Sequence, residues 1–230
     1  MALDGHVYTV PDGVQGFDAN VTISASVARA FRSHGYRFCI RYVRREKHHP
    51  ADVTADEAAA LLDAGLGLML VQYVESESSW QPSANKGAAN GTTAASEVEK
   101  LGVPAGVTVW CDLEGVDVAT PAQAVIDYCN RWHAAAAEAG FVPGLYVGYH
   151  AGLNPTQLYR SLRFTHYWGA YNLNVDQAPI VRGLQMKQSE REAADLVAGV
   201  KLAFQVDRVR ADKLGGRPTL VGPEFWLEQL

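Results

Sequence analysis

The chain has 230 residues, a formal net charge of −5 and 48% hydrophobic residues, enough apolar material for a sizeable core and enough length for one α/β barrel. The mild acidity argues against wholesale nucleic-acid binding, and no apolar run approaches the roughly 18–20 residues of a membrane span.

The N-terminal stretch Met1-Ala-Leu-Asp-Gly-His6 lacks the basic-then-apolar layout of a signal peptide. The expectation is a cytoplasmic chain that reaches the outside only by lysis, delivery or processing. Residues 14–18 read as a first strand, and Gly13-Val-Gln-Gly-Phe-Asp18 stands where a dinucleotide-binding fold would carry Gly-x-Gly-x-x-Gly. A strand over 36–43 follows. His48-His49 lies in a polar loop where a solvated pair is the plain reading, and neither a metal nor a cofactor is expected. Thr54-Ala-Asp-Glu57 has the form of a capping box opening a helix. Residues 66–74 form a continuous apolar run, and 76–93, rich in Ser, Asn, Gly and Ala, read as a long loop carrying Trp80.

Strand candidates continue at 107–113, 142–149, 165–171, 183–188 and 201–207. Between them, Thr120-Pro-Ala-Gln123 and Asn154-Pro-Thr-Gln157 repeat the capping pattern, and Gly35, Gly65, Gly102 and Gly140 stand where a helix ends in a left-handed residue. Cys39, Cys111 and Cys129 fall in apolar or helical runs and predict buried free thiols rather than a disulfide framework. Fully apolar strands alternating with helices imply a parallel sheet covered on its faces, and eight candidates match a closed barrel. The predicted fold is α/β, a single (β/α)8 TIM-type barrel with room for irregularity, spanning residues 1–230 as one domain.

Val107-Thr-Val-Trp-Cys-Asp-Leu-Glu-Gly115 carries the most chemistry. Asp112 and Glu114 are two residues apart on a strand end, so both project to one face with Cα atoms roughly 6.6 Å apart. Two carboxyls in one small space resist ionising together, which separates a proton donor from a charged partner and outlines glycosidase chemistry. The alternative is an acid pair that caps a helix or binds an arginine. In a barrel, active sites lie at the C-terminal strand ends. There Asp18 and Asp207 join the pair, with Arg41 and Tyr42, Tyr73, Tyr146 and Tyr149, Tyr171 and Gln188 around them and Trp80 in the loop above. Aromatic faces suit sugar rings, although each ring taken singly also suits packing. Alternation from Cys39 aims Arg41 at the barrel mouth, to pair with an acid or to touch substrate. Arg44-Arg-Glu-Lys47-His-His49 adds a basic cluster that would favour an anionic glycan or form a solvated loop.

Gly16-Phe-Asp18, Phe38-Cys-Ile-Arg-Tyr42, Leu101-Gly-Val-Pro104 leading into Trp110-Cys-Asp-Leu-Glu114, and Val206-Asp207 resemble, in order and over nearly the whole chain, the bacterial glycoside-hydrolase-like family catalogued as a domain of unknown function and related to the family 25 lysozymes. Asp112-Leu-Glu114 looks like the Asp-x-Glu of those muramidases, and Asp18 and Asp207 look like their flanking acids. Arg208 departs from the polar residue, such as Asn, common after the last acid. The resemblance implies a polysaccharide partner, with peptidoglycan cut between its two amino sugars. It makes Glu114 the general acid, Asp112 the group that holds Glu114 protonated and stabilises positive charge on the sugar, and Asp18 and Asp207 the groups that position water or an acetamido group. A carboxyl separation of about 5 Å or of roughly 6.5–9.5 Å would distinguish retention from inversion, and an acetamido sugar could serve as its own nucleophile. Three function classes follow: a cell-wall glycan hydrolase, the leading expectation; a glycan-binding barrel without turnover; and a structural or delivery component of a phage or secretion apparatus. A monomer with no nucleic-acid or membrane partner is the working expectation.

Overall fold

The computed structural model describes residues 2–76, 78–189, 197 and 202–230. Among these residues the strands are β1 His6–Thr9, β2 Gln15–Ala19, β3 Phe38–Val43, β4 Gly67–Gln72, β5 Thr108–Leu113, β6 Val142–Val147, β7 His166–Gly169, β8 Met186–Ser189, β9 Gln205–Val209 and β10 Thr219–Gly222. The α-helices are α1 Ala25–Ser33, α2 Ala55–Asp63, α3 Ala84–Lys100, α4 Ala122–Glu138 and α5 Pro155–Arg160. The strand candidate at 201–207 starts outside the described residues and forms as β9.

Strands β2 to β8 are each parallel to the next, and β4 pairs with β5. β9 then closes the ring antiparallel to both β8 and β2. The result is a closed eight-stranded barrel of mixed direction with flanking helices, which corrects the expected all-parallel (β/α)8 barrel. Apolar runs report that a strand exists and which residues share a face; they carry no information on strand direction. β1 and β10, absent from the predicted set, pair antiparallel, and Val221 of β10 meets Leu68 of β4. Leu220 and Trp226 join the interior cluster with Phe38 and Trp110, and Trp226 Nε1 donates to Arg37 O at 2.9 Å. This pair therefore plugs the N-terminal end of the barrel.

Inside and outside follow the two-residue period. Phe38, Ile40, Met69, Val71, Trp110, Tyr146, Trp168 and Met186 fill the interior, while Phe17, Cys39, Leu68, Leu70, Val109, Cys111, Leu145 and Val206 meet the helices. The three cysteines are buried free thiols.

The helix ends obey the sequence in part. Gly35, Gly65, Gly102 and Gly140 have φ of 92°, 84°, 80° and 88°, and Asn154 with Gln157 forms the complete capping box. At Thr120 the box does not form: α4 is capped by Pro121 without a side-chain bond, and Gln123 donates to Asp127 at 2.8 Å instead. The loop expected over 76–93 is also corrected, since α3 begins at Ala84 behind an N-cap on Ser83. Gly87, Asn90 and Gly91 have poor helix propensity, and tertiary packing overrides it. A Cβ on Gly87 would lie 2.2 Å from Tyr128 O, and one on Gly91 2.6 Å from Trp132 O, so α3 and α4 touch backbone to backbone. Gly87→Ala, which would stabilise an exposed helix, is therefore expected to cost about 3 kcal/mol in urea unfolding, at the upper end of overpacking.

Candidate functional site

At the C-terminal ends of the parallel strands the inward row is polar. Asp18 on β2, Asp112 on β5 and Asp207 on β9 are only 4%, 8% and 0% exposed. Gln188 on β8 is the hub. Its Nε2 donates to Asp18 Oδ2 at 2.8 Å and also to Gln205 Oε1, while its Oε1 accepts from Tyr146 Oη at 3.0 Å and Tyr171 N at 3.2 Å. Tyr42 Oη donates to the other oxygen of Asp18 at 3.4 Å. The negative charges of Asp112, Glu114, Asp18 and Asp207 all act on the Tyr146 phenol, which burial foremost pushes far up. The four acids of the sequence reading thus share one electrostatic environment.

Within it, Asp18 and Asp207 divide one proton between them. Burial raises Asp18 to about 6, against the pull of its hydrogen bonds and of the Arg41 charge. Burial and the neighbouring Asp18 charge push Asp207 well above the usual carboxylate range, and among the described residues its oxygens have no hydrogen bond of normal geometry. Like charges in a dry site cannot both ionise, so Asp207 keeps the proton while Asp18, with donors on both oxygens, carries the charge first.

Glu114 is half-buried and follows directly on β5. The Trp80 indole N–H donates to the Glu114 carbonyl, and Trp80 forms a parallel bridge with Val116. Beyond Glu114, Gly115 N and Val116 N donate to Tyr149 O and His150 O at 2.7 and 2.9 Å. Gly148 makes room for the glutamate: a Cβ there would lie 2.4 Å from Glu114 Oε2. Backbone on both sides therefore holds this side chain at the mouth.

Two predicted residues face elsewhere. Arg41 is fully buried on the outer face of β3, with Nε 2.7 Å from Glu57 Oε1 of α2 and further donors on Ala19 O and Ala51 O. It does share a face with Cys39, but that face meets the helices, because both faces of a parallel barrel wall are apolar and alternation alone cannot say which looks inward. Trp80 is buried in the helical layer, edge-on to Tyr128 at 5.1 Å with Arg45 over its ring at 5.5 Å; it supports Glu114 from behind. Tyr73 stacks on Tyr42 at 4.7 Å and on His49 at 5.2 Å. Tyr149 and Tyr171 are exposed at the rim. Sequence reading missed Gln205 and Gly148, although alternation back from Asp207 and forward from Tyr146 points to both.

Three depressions surround the mouth. The one over Asp18, lined by Asn20, Tyr42, Phe204 and Gln205, holds about 140 Å³. A cleft of about 370 Å³ lies between Arg45, Lys47, His49 and Tyr73. A groove of about 560 Å³ runs from Gly148 and Tyr149 to Asn154 and Asn172.

A mixed barrel with a ring of inward acids at the mouth of its parallel strands defines a glycoside-hydrolase-like protein. The chain belongs to the Rv2525c-like, glycoside hydrolase-like domain family, whose model matches residues 29–203. Its fold is similar to that of the Tat-secreted protein Rv2525c of Mycobacterium tuberculosis in complex with L-tartrate, with TM-score 0.62, 18% identity, and coverage of 86% of this chain and 96% of the other. A family 25 glycosyl hydrolase from Bacillus anthracis follows at TM-score 0.61, 12% identity and 90% and 92% coverage. The bacterial lysozyme from Streptomyces coelicolor has TM-score 0.57, 14% identity and 87% and 93% coverage. No curated protein matches in sequence. The Mycobacterium tuberculosis relative is secreted, which overturns the expectation of a cytoplasmic chain drawn from the N-terminal residues. Among the described residues no helix is long and apolar enough to cross a membrane.

Proposed function

We propose that this chain is a glycan-binding barrel that holds a cell-wall polysaccharide across its mouth without cutting it. The observation that carries this reading is the mismatch between acids and space. The depression over Asp18 holds about 140 Å³, below the roughly 300–1,000 Å³ of ligand sites, whereas the groove beside Glu114 holds about 560 Å³. Asp18 is committed to Gln188 and Tyr42, and Asp207 is wholly buried. Both serve the barrel interior more than a passing sugar. The aromatic and amide groups at the rim, Tyr149, Tyr171 and Asn172, are the exposed groups that would meet a saccharide.

A second reading, muramidase-type hydrolysis, is favoured by one feature: Glu114 is half-buried, two residues on from Asp112, with its carboxylate against Gly148 of the groove wall. In that reading Glu114 protonates the leaving oxygen and Asp112 stabilises the sugar cation. Purified peptidoglycan separates the two. The wild type is expected to cosediment with it and to release no more reducing ends than Glu114→Gln does. Release by the wild type that Glu114→Gln abolishes, with Asp112→Asn milder, would replace binding with hydrolysis; a chain that neither binds nor cuts would overturn both.

A further inference from the structure

The groove beside Glu114 holds a residue fixed by backbone hydrogen bonds in a conformation that costs a side chain. His150 has φ of 53°, the left-handed region that side chains other than glycine occupy at a cost. Successive residues of an extended chain point to opposite faces. Here the left-handed turn brings two neighbouring rings to one side instead, with the Tyr149 and His150 centroids 4.0 Å apart and their planes 31° from parallel. Both side chains are exposed, Tyr149 by 62%, so the pair buries little on folding. The backbone is nonetheless pinned, because Tyr149 O and His150 O accept from Gly115 N and Val116 N, directly after Glu114. A backbone fixed this way leaves both rings open to solvent on the wall of a groove, where a ligand can reach them.

We propose that Tyr149, backed on one face by the His150 ring, is a platform for one pyranose ring of the bound glycan, the sugar's apolar C–H face lying on the outer face of the phenol. Half-buried Leu153 and Leu173 and exposed Asn172 line the same groove, offering apolar wall and amide to the substituents of that ring. This inference rests on the glycan-binding reading and adds to it the residues that grip the sugar.

Cosedimentation of the full chain with purified peptidoglycan, alongside thermal melts, tests it. Tyr149→Ala is expected to weaken binding about tenfold and Tyr149→Phe, which keeps the ring face, to restore it. His150→Gly is expected to weaken binding about fivefold while melting at the same or a higher temperature, because glycine adopts this φ without strain. A purely structural role predicts the reverse, lower melting with unchanged binding. Affinity within twofold of the wild type in both Tyr149→Ala and His150→Gly overturns the platform alone. Absence of binding by the wild type overturns the glycan-binding reading and the platform with it.

Discussion

Glu57→Ala is expected to remove about 3–5 kcal/mol of stability, a large part of the roughly 5–15 kcal/mol that holds a folded chain. Glu57 is the only carboxylate paired with Arg41 among the described residues, at 2.7 Å, with the arginine fully buried. Its Oε1 also accepts from Ile23 N at 2.8 Å, tying the start of α1 to α2. Removing it strands a guanidinium in a dry layer and orphans a backbone N–H at once. Urea unfolding followed by circular dichroism measures the loss, and a cost below 1 kcal/mol would mean that water reaches Arg41. Thr54-Ala-Asp-Glu57 reads as a capping box, yet only half of it forms. Thr54 Oγ1 accepts from Glu57 N at 3.1 Å, while the glutamate turns away to meet Arg41. The local partner lost to a distant one because a buried charge gains more from neutralisation than a helix end gains from a second cap.

The second large effect concerns pH. In the unfolded chain Asp18 and Asp207 ionise around the ordinary value of 3.8; in the folded protein Asp18 rises to about 6 and Asp207 well above its ordinary range. As pH climbs past 3.8 the unfolded chain gives up its protons first, so stability falls with rising pH until the folded carboxyls ionise as well. For Asp18 the window is about pH 4 to 6 and the loss about 3 kcal/mol, at 1.36 kcal/mol per unit; Asp207 extends the decline upward. Asp207→Asn keeps the shape, removes the acid that burial penalises most, and leaves an amide to donate to Asp18. Its melting temperature is expected to exceed that of the wild type at pH 8, with the difference vanishing towards pH 4. Equal pH slopes for the two proteins would show that the pair is not sharing a proton.

Much of this was legible in the residues. The strand-end acids Asp18, Asp112 and Glu114 and the strand-end Tyr42, Tyr146 and Gln188 follow from where the apolar runs stop, and they share hydrogen bonds and charge at one mouth, whereas counting in twos from Cys39 aimed Arg41 there and was wrong. Trp80 was not legible, because its loop composition gave no sign that the ring is buried against Tyr128. α3 was partly hidden for a related reason: glycines that look like loop residues are what lets two helices approach backbone to backbone.

What the order of amino acids determined by itself is local: which side chains share a face, where helices end, and that acids stand at the ends of apolar strands. Periodicity and dihedral preference act over a few residues and need no partner. Only the tertiary structure decided that β9 runs against its neighbours, that Arg41 looks outward to Glu57, and that Asp207 is sealed while Glu114 stays half-open. Strand direction, the inner side of a wall and the dryness of a carboxyl are properties of closure, which exists only once residues far apart in the chain have met.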